Sequence, residues 1–373
     1  MTTPLSAIQT DDPYPYYARL TAERPFGFDS EIGAWVAADA AAVRAAFEAP
    51  GLRVRPEGAE VPPPLRGGPA GDLFGELVRM RDDETSARLK RAVAAVLAET
   101  DPDRIAETAA AQARRALATG LDYRELAFGV PVATVGALSG IPETDLRRAA
   151  ELTAAFVRCI PASATAEDHA AATEAAAELR PLLARAALSG EGLAARLAAT
   201  AAAHRLPASE ATANAVGLLS QTYDATAGLV GNTLIALTGH ERGEDLEAFV
   251  TEVARNDAPV QNTRRFAHRA WTHAGQTVEP GQAVLLLLAA ANRDGAVNPR
   301  ADVFDPAREH PISFTFGAGR HGCPGREVAV RIAAAIVRTA EAEGWRPAHL
   351  PEKPRYLPSP NARIPMFDDG SRR

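Results

Sequence analysis

Cys323 stands in the run Phe316-Gly317-Ala318-Gly319-Arg320-His321-Gly322-Cys323-Pro324-Gly325. The glycines at 317, 319, 322 and 325 let the backbone turn tightly and approach a flat or bulky group closely. A helix predicted over 326–343 directs its N-terminal amides and partial positive charge back at the sulfur, which favours thiolate over thiol. The thiolate is the form that binds metals and acts as a nucleophile. A lone cysteine is more often a small buried apolar residue, but the density of glycine and the flanking His321 weigh against that role. The helix puts Val328, Ile332, Ala335, Ile336 and Thr339 on one face and stops at Gly344. Cys323 is therefore expected at a strand-to-helix junction.

Two other groups of residues have chemically suggestive spacing. Glu252 and Arg255 share a face of an amphipathic helix predicted over 244–256. Spacing alone makes them an exposed ion pair, worth roughly a few tenths of a kcal/mol. Residues 209–238 form a long helical pattern with Ser209 as N-cap and Glu210 in the first turn. Its centre, Ser220-Gln221-Thr222-Tyr223-Asp224, is polar between apolar flanks. The plain reading is an exposed patch, yet polar groups in a core helix more often line a cavity.

Residues 316–325 resemble the heme-binding signature of the cytochrome P450 family, Phe-Gly-x-Gly-x-His/Arg-x-Cys-x-Gly, at every fixed position. The resemblance implies a heme b cofactor cradled by Phe316, Gly317 and Gly325. It implies Cys323 as the ligand to iron and His321 as a donor to a heme propionate. Glu-x-x-Arg upstream is the family's other constant element, which implies that Glu252 and Arg255 are a buried pair tying their helix to the cysteine loop. The usual third, basic member falls at Val303, so the triad is incomplete or Arg308 completes it. Residues 259–265 resemble the strand that lines the pocket, with Arg265 as a propionate partner through bidentate geometry. Adjacent arginines otherwise read as surface solubility. The family's His-x-x-x-Arg helix falls on 81–91, with Ser86 at the His position and Lys90 at the Arg position. Lys90 keeps the charge without the planar fork.

On the long helix, Gly231-Asn232 matches the family's Gly-Asn and sets the register. Gln221 and Thr222 then take the small-residue positions, Asp224 the acid, and Ala225 the threonine whose hydroxyl normally supports proton delivery to dioxygen. Thr226 is one residue on, about 100° around the helix, and should point elsewhere. General acid delivery needs a donor within hydrogen-bond reach, and Ala225 has none. Three routes stay open: a substrate hydroxyl or ordered water completes the relay, Gln221 or Thr222 donates, or peroxide or another iron ligand replaces reductively activated dioxygen.

These residues need a scaffold. Alanine-rich helices are expected at 38–49, 85–99, 103–119, 144–158, 165–187 and 190–204, with strands at 35–36, 276–278 and 283–288. Further short strands are expected near Tyr356 and at 363–366, in a Pro-rich stretch over 351–373. Residues 56–72 form a Pro/Gly-rich loop, more often a lid or binding loop than a linker. The fold class is mainly α with small β-sheets (α+β). The resemblance makes it a P450-like single domain over 1–373, with heme between the long distal helix and the cysteine loop. The chain is short for that family between about 150 and 210, where relatives keep helices over the substrate channel. Substrate contacts are expected from 56–80, 150–210, 260–263 and the tail near Ser359.

The chain has 373 residues, 46% of them hydrophobic, which supports a substantial core. A net charge of −7 gives nucleic-acid binding no electrostatic support. Two cysteines make no disulfide framework and suit a reducing cytosol. The N-terminus lacks a basic n-region and an apolar h-region. The apolar run 283–291 is too short to span a bilayer. The resemblance implies a cytoplasmic, monomeric heme-thiolate monooxygenase acting on a small organic molecule in natural-product tailoring. A ferredoxin-type partner would supply its electrons. Arg320, Arg326 and Lys90 could form a positive patch for that partner, or be ordinary solvated charges. The alternatives are a peroxide-using or otherwise atypical oxidase (coupling, desaturation or nitration), and a non-catalytic heme or ligand-binding protein.

Overall fold

The structure, a computed structural model, describes residues 2–118, 120, 122–350 and 354–367. Along the chain come α1 (Tyr14–Glu23), β1 (Phe26–Asp29), β2 (Ala34–Ala37), α2 (Ala40–Glu48), β3 (Leu52–Arg53), α3 (Pro69–Glu76), α4 (Glu84–Ala98), α5 (Pro102–Ala118), α6 (Val130–Leu138), α7 (Glu143–Val157), α8 (Ala166–Leu188), α9 (Gly192–Ala203) and α10 (Ala208–Gly239). There follow α11 (Leu246–Asn256), β4 (Asn262–Ala267), β5 (Trp271–His273), β6 (Gln276–Val278), β7 (Ala283–Leu287), α12 (Leu288–Asn292), α13 (Arg326–Ala342), β8 (Arg355–Tyr356) and β9 (Pro365–Met366). The chain packs as two compact units. The first takes in Met1–Gly58, Gly228–Cys323 and Arg346–Arg373, and the second Ala59–Ala227 and Pro324–Trp345.

The first unit holds the strands. Its sheet has the order β1-β2-β7-β4-β3, with β2 and β7 parallel and the other neighbours antiparallel. β7 is apolar at every position because both faces are covered. Val284 and Leu286 point into one core with Phe47 and Val43 of α2, and Leu285 and Leu287 into another with Tyr17 of α1. That alternation is the two-residue period of a strand. β8 and β9 form a separate antiparallel pair, matching the strands expected near Tyr356 and 363–366. The remainder of that expected tail, 351–353 and 368–373, lies outside the described residues.

The second unit is helical. Here α13 packs on α5, α5 on α6, α7 on α8, and α8 on α9 and α3. Alanine keeps these contacts close: α5 buries Ile105, Ala109 and Ala113 on one stripe, and α13 is buried over most of 330–340.

Three expectations need correcting, the first being the start of the long helix: α10 begins at Ala208, so Ser209 lies inside it and is not its N-cap. Residues 56–72 are not wholly loop: a 3-10 turn spans Pro63–Leu65, and α3 starts at Pro69. Proline at a first helical position is pre-set for the helix, so the proline that reads as a breaker is a start signal. A Cβ on Gly71 would clash with the Leu65 carbonyl, so glycine is required where the turn folds onto α3. The cysteine loop is also not preceded by a strand. Among the described residues the chain from α12 to the 3-10 turn Gly319–His321 is irregular, and side chains rather than ladder bonds hold it.

Candidate active site: a cysteine loop and a polar helix centre

In the first unit, the cysteine loop is drawn closed by the amide of Cys323, which donates to the Phe316 carbonyl at 2.7 Å, and by Gly317, which donates to Phe314 at 2.7 Å. Gly317 and Gly319 have φ of 67° and 59°, in the left-handed region that favours glycine. A Cβ at 317 would sit 3.2 Å from the His321 carbonyl oxygen. His321 is half-buried at the end of its 3-10 turn. Cys323 forms no disulfide and is exposed. Cys159, the other cysteine, is buried, and desolvation pushes its thiol up to about 11. A soft sulfur donor presented on a glycine loop fits a heme iron, and Cys159 does not.

Arg265 is buried on β4. Its guanidinium lies over the Phe47 ring, 5.0 Å from the centroid, and donates to the Arg264 carbonyl at 2.8 Å. A Cβ on Gly319 would touch the Phe47 carbonyl oxygen at 3.4 Å. Phe47 therefore brings β4 and the cysteine loop together. Arg44, one helical turn back, lies over Phe314 just before the loop. Sequence reading missed both residues of α2; the only available signal was an aromatic side chain in an alanine-rich helix.

Glu252 and Arg255 are 2% and 0% exposed, so they are not the solvated pair their spacing suggests. The arginine grips Glu252 with two bonds, of 2.8 and 2.6 Å, and donates to the carbonyls of Asn292, Ala301 and Val303. Glu252 accepts from the Asp305 amide at 3.0 Å. Val303 contributes only its backbone carbonyl, and Arg308 supplies the further cation, 3.6 Å from Glu252. Arg308 also donates to the Pro299, Arg300 and Val303 carbonyls. Asn292 donates to Thr315 and accepts from the Phe314 amide, while Thr315 donates to the Ala254 carbonyl. This network holds the irregular segment on α11 and delivers the chain to Phe316 in one position. Buried ions are tolerated where such hydrogen bonds offset their desolvation.

The second unit contains Gly325, Lys90 and the polar centre of α10. Gly325 caps α13, its carbonyl accepting from Ala329 at 2.9 Å. Lys90 is half-buried on α4. Ser86 is spent on that helix's own N-terminus, donating to the Asp83 carbonyl while its amide bonds the Asp83 carboxylate. On α10, Gln221 and Asp224 are exposed and Thr222 and Ala225 are half-buried, between stretches that are mostly buried. The Gln221 amide donates to the Gly217 carbonyl at 3.1 Å, and the Thr222 hydroxyl to Leu218 at 2.8 Å. Both side chains have thus committed a proton to the helix backbone. Thr226 is buried. Asp224 reaches solvent but is ringed by protein atoms, and this desolvation raises its carboxyl pKa, partly countered by Arg79. Arg79, on the 3-10 turn Val78–Met80, is a site residue that sequence reading did not single out within the broad 56–80 stretch. Nothing in its local spacing points to Asp224.

Residues 244–338 match the family model described as Cytochrome P450. The chain is 33% identical over 218 residues to a vitamin D(3) 25-hydroxylase of Pseudonocardia autotrophica, covering 55% of this chain and 53% of that protein. It is 30% identical over 225 residues to an epothilone C/D epoxidase of Sorangium cellulosum, covering 55% and 54%. The chain thus spans about half the length of the curated relatives it matches. The crystal structure of CalO2 superposes over 98% of this chain and 97% of that one, with a TM-score of 0.84 and 26% identity. The fold described above is also that of the epothilone B-bound cytochrome P450epoK structure, which superposes over 98% of each chain with a TM-score of 0.85 and 23% identity. Members of the family hold heme through a cysteine thiolate.

Proposed function

From the premise that this chain belongs to the cytochrome P450 family, we propose that it is a heme-thiolate monooxygenase oxidising a small organic molecule, with Cys323 binding the iron of heme b. The observation that carries this reading is the glycine loop presenting an exposed Cys323 outside any disulfide, with the chain leading to it held by the Glu252–Arg255–Arg308 network. When bound, heme supplies a redox-active iron that activates oxygen. The chain's own residues do the rest. Phe316, Gly317 and Gly325 shape the cradle. His321 and Arg265 bind propionates, with Lys90 adding charge. The four crossings of the chain between its two units support reading residues 1–373 as one catalytic domain.

Asp224 is the proton-holding group of α10. Its raised pKa keeps it protonated closer to neutrality than an ordinary aspartate. The Thr222 hydroxyl proton is engaged by the Leu218 carbonyl, so this residue serves as an acceptor, while Gln221 has one N–H on the Gly217 carbonyl and keeps a second N–H and its carbonyl oxygen to orient a water or a substrate hydroxyl. This favours the first of the three relay routes, with Ala225 leaving room where the family's threonine would stand. Natural-product tailoring is supported by the likeness to an epothilone epoxidase. Among the described residues no helix is long and apolar enough to cross a membrane. We place the enzyme in the cytoplasm as a monomer served by a ferredoxin-type donor.

The reduced carbon-monoxide adduct tests the central claim. The long-wavelength Soret band of thiolate ligation is expected, and a holoprotein without it sinks the reading. Peroxide supplied without a redox partner tests the alternative: turnover equal to that of the reconstituted electron-transfer system identifies a peroxide-using oxidase.

A further inference from the structure

Glu210, Asn214, Gly217, Gln221 and Asp224 recur every three or four residues and so form one stripe along α10. Segment 76–81 is fastened along the upper part of that stripe. Arg81 pairs with Glu210 at 3.0 Å. Asn214 accepts from the Val78 amide at 2.9 Å and donates to the Glu76 carbonyl at 2.8 Å. A Cβ on Gly217 would meet the Leu77 side chain at 3.0 Å. Glu76 is itself ion-paired to Arg180 of α8. Leu77, Val78 and Met80 are buried.

Arg79 is the exception in this pinned segment. It is half-buried, and among the described residues it makes no hydrogen bond and no ion pair. Asp224 is the charge it feels, and desolvation outweighs that attraction. Asp224 likewise makes no hydrogen bond or ion pair among the described residues. A guanidinium partly withdrawn from water without a partner is costly, and the backbone that carries it is pinned beside α10 by the Asn214 and Arg81–Glu210 contacts. Such a group calls for an explanation, and a bound anion supplies one.

We propose that Arg79 is a specificity-determining residue that binds a carboxylate of the substrate beside the Gln221–Asp224 face of α10. This rests on the monooxygenase reading above. A guanidinium meets a carboxylate through two parallel hydrogen bonds. One arginine next to an aspartate suits a monoanion; a dianionic phosphate would be repelled by Asp224. Substrates are therefore small organic acids, oxidised at a carbon held away from the acid group.

The test uses ferric holoprotein and ω-(imidazol-1-yl)alkanoic acids of graded chain length, each paired with its methyl ester. Imidazole ligation moves the Soret band for both partners of a pair, so the ester reports the heme site independently of Arg79. At the best length the acid should bind about ten- to a hundredfold more tightly than the ester. Arg79→Gln should erase that preference and leave the ester unchanged, Arg79→Lys should keep part of it, and Asp224→Asn, compared with wild type at an alkaline pH where the aspartate is ionised, should enlarge it. Equal binding of acid and ester at every length overturns the proposal, as does a preference that survives Arg79→Gln. If Arg79→Gln fails to retain heme, Asp224→Asn decides, and no gain in acid preference there overturns the proposal. Should neither probe move the band in the wild type, no substrate site links Arg79 to the iron and this inference falls, whereas failure of the heme-thiolate reading shows separately as a carbon-monoxide adduct without the thiolate band.

Discussion

Cys159 and Cys323 share a side chain and differ in surroundings. Cys159 is buried after α7 with its thiol raised to about 11, whereas Cys323 is exposed on a glycine loop. Cys323→Ala should abolish the thiolate Soret band of the reduced carbon-monoxide adduct, and Cys159→Ala should leave it intact. A band that survives in Cys323→Ala removes that residue from the iron. Asp224 gives a pH prediction. Its folded pKa is raised, so the folded state binds its proton more tightly than the unfolded chain does, and stability is lost as pH climbs from the ordinary aspartate value of 3.8 through the raised one. Asp224→Asn does not titrate. Its melting temperature relative to wild type should therefore be more favourable at pH 7 than at pH 4; a constant difference would show that the carboxyl is not desolvated. At this scale Cys323 and His321 were legible in the sequence because their signal lies within ten consecutive residues. The Asp224–Arg79 relation was not, since it joins positions far apart in the chain.

Among the elements, α11 and the irregular segment behind it do the positioning. Glu252→Gln leaves Arg255 and Arg308 without their carboxylate in a dry site, at a cost of about 3–5 kcal/mol. Chemical denaturation should register that loss together with reduced heme retention. A variant that keeps both stability and heme shows that the carbonyls of Asn292, Ala301 and Val303 suffice for Arg255. The bounds of α4, α5, α7, α8 and α9 were readable within two residues from apolar periodicity, which samples neighbours three and four positions away. β4 was placed by resemblance alone, since its partners β3 and β7 are non-local. α3 hid behind proline and glycine, which serve helix starts and tight turns as well as loops. Val303 drew attention as a missing cation, while the cation came from Arg308, five residues on, because an irregular chain need not keep register.

On the scale of the whole molecule, a net charge of −7 opposes an acidic electron donor unless cations are clustered where it docks. Arg320 is exposed on the cysteine loop. Reduction by an acidic plant-type ferredoxin should slow as ionic strength rises from about 0.05 to about 0.5 M. Arg320→Glu should slow it several-fold at the lower salt and little at the higher. A rate indifferent to both removes the loop from the docking surface. The amino-acid sequence by itself determined the glycine-framed cysteine loop, the helical scaffold and the absence of a hydroxyl at Ala225, because each is written in residue types at short spacing. Tertiary structure alone decided that Glu252 and Arg255 are buried, that Arg308 joins them, and that Arg79 is held near Asp224. Burial and ionisation depend on everything that packs around a group, and those neighbours arrive from distant parts of the chain.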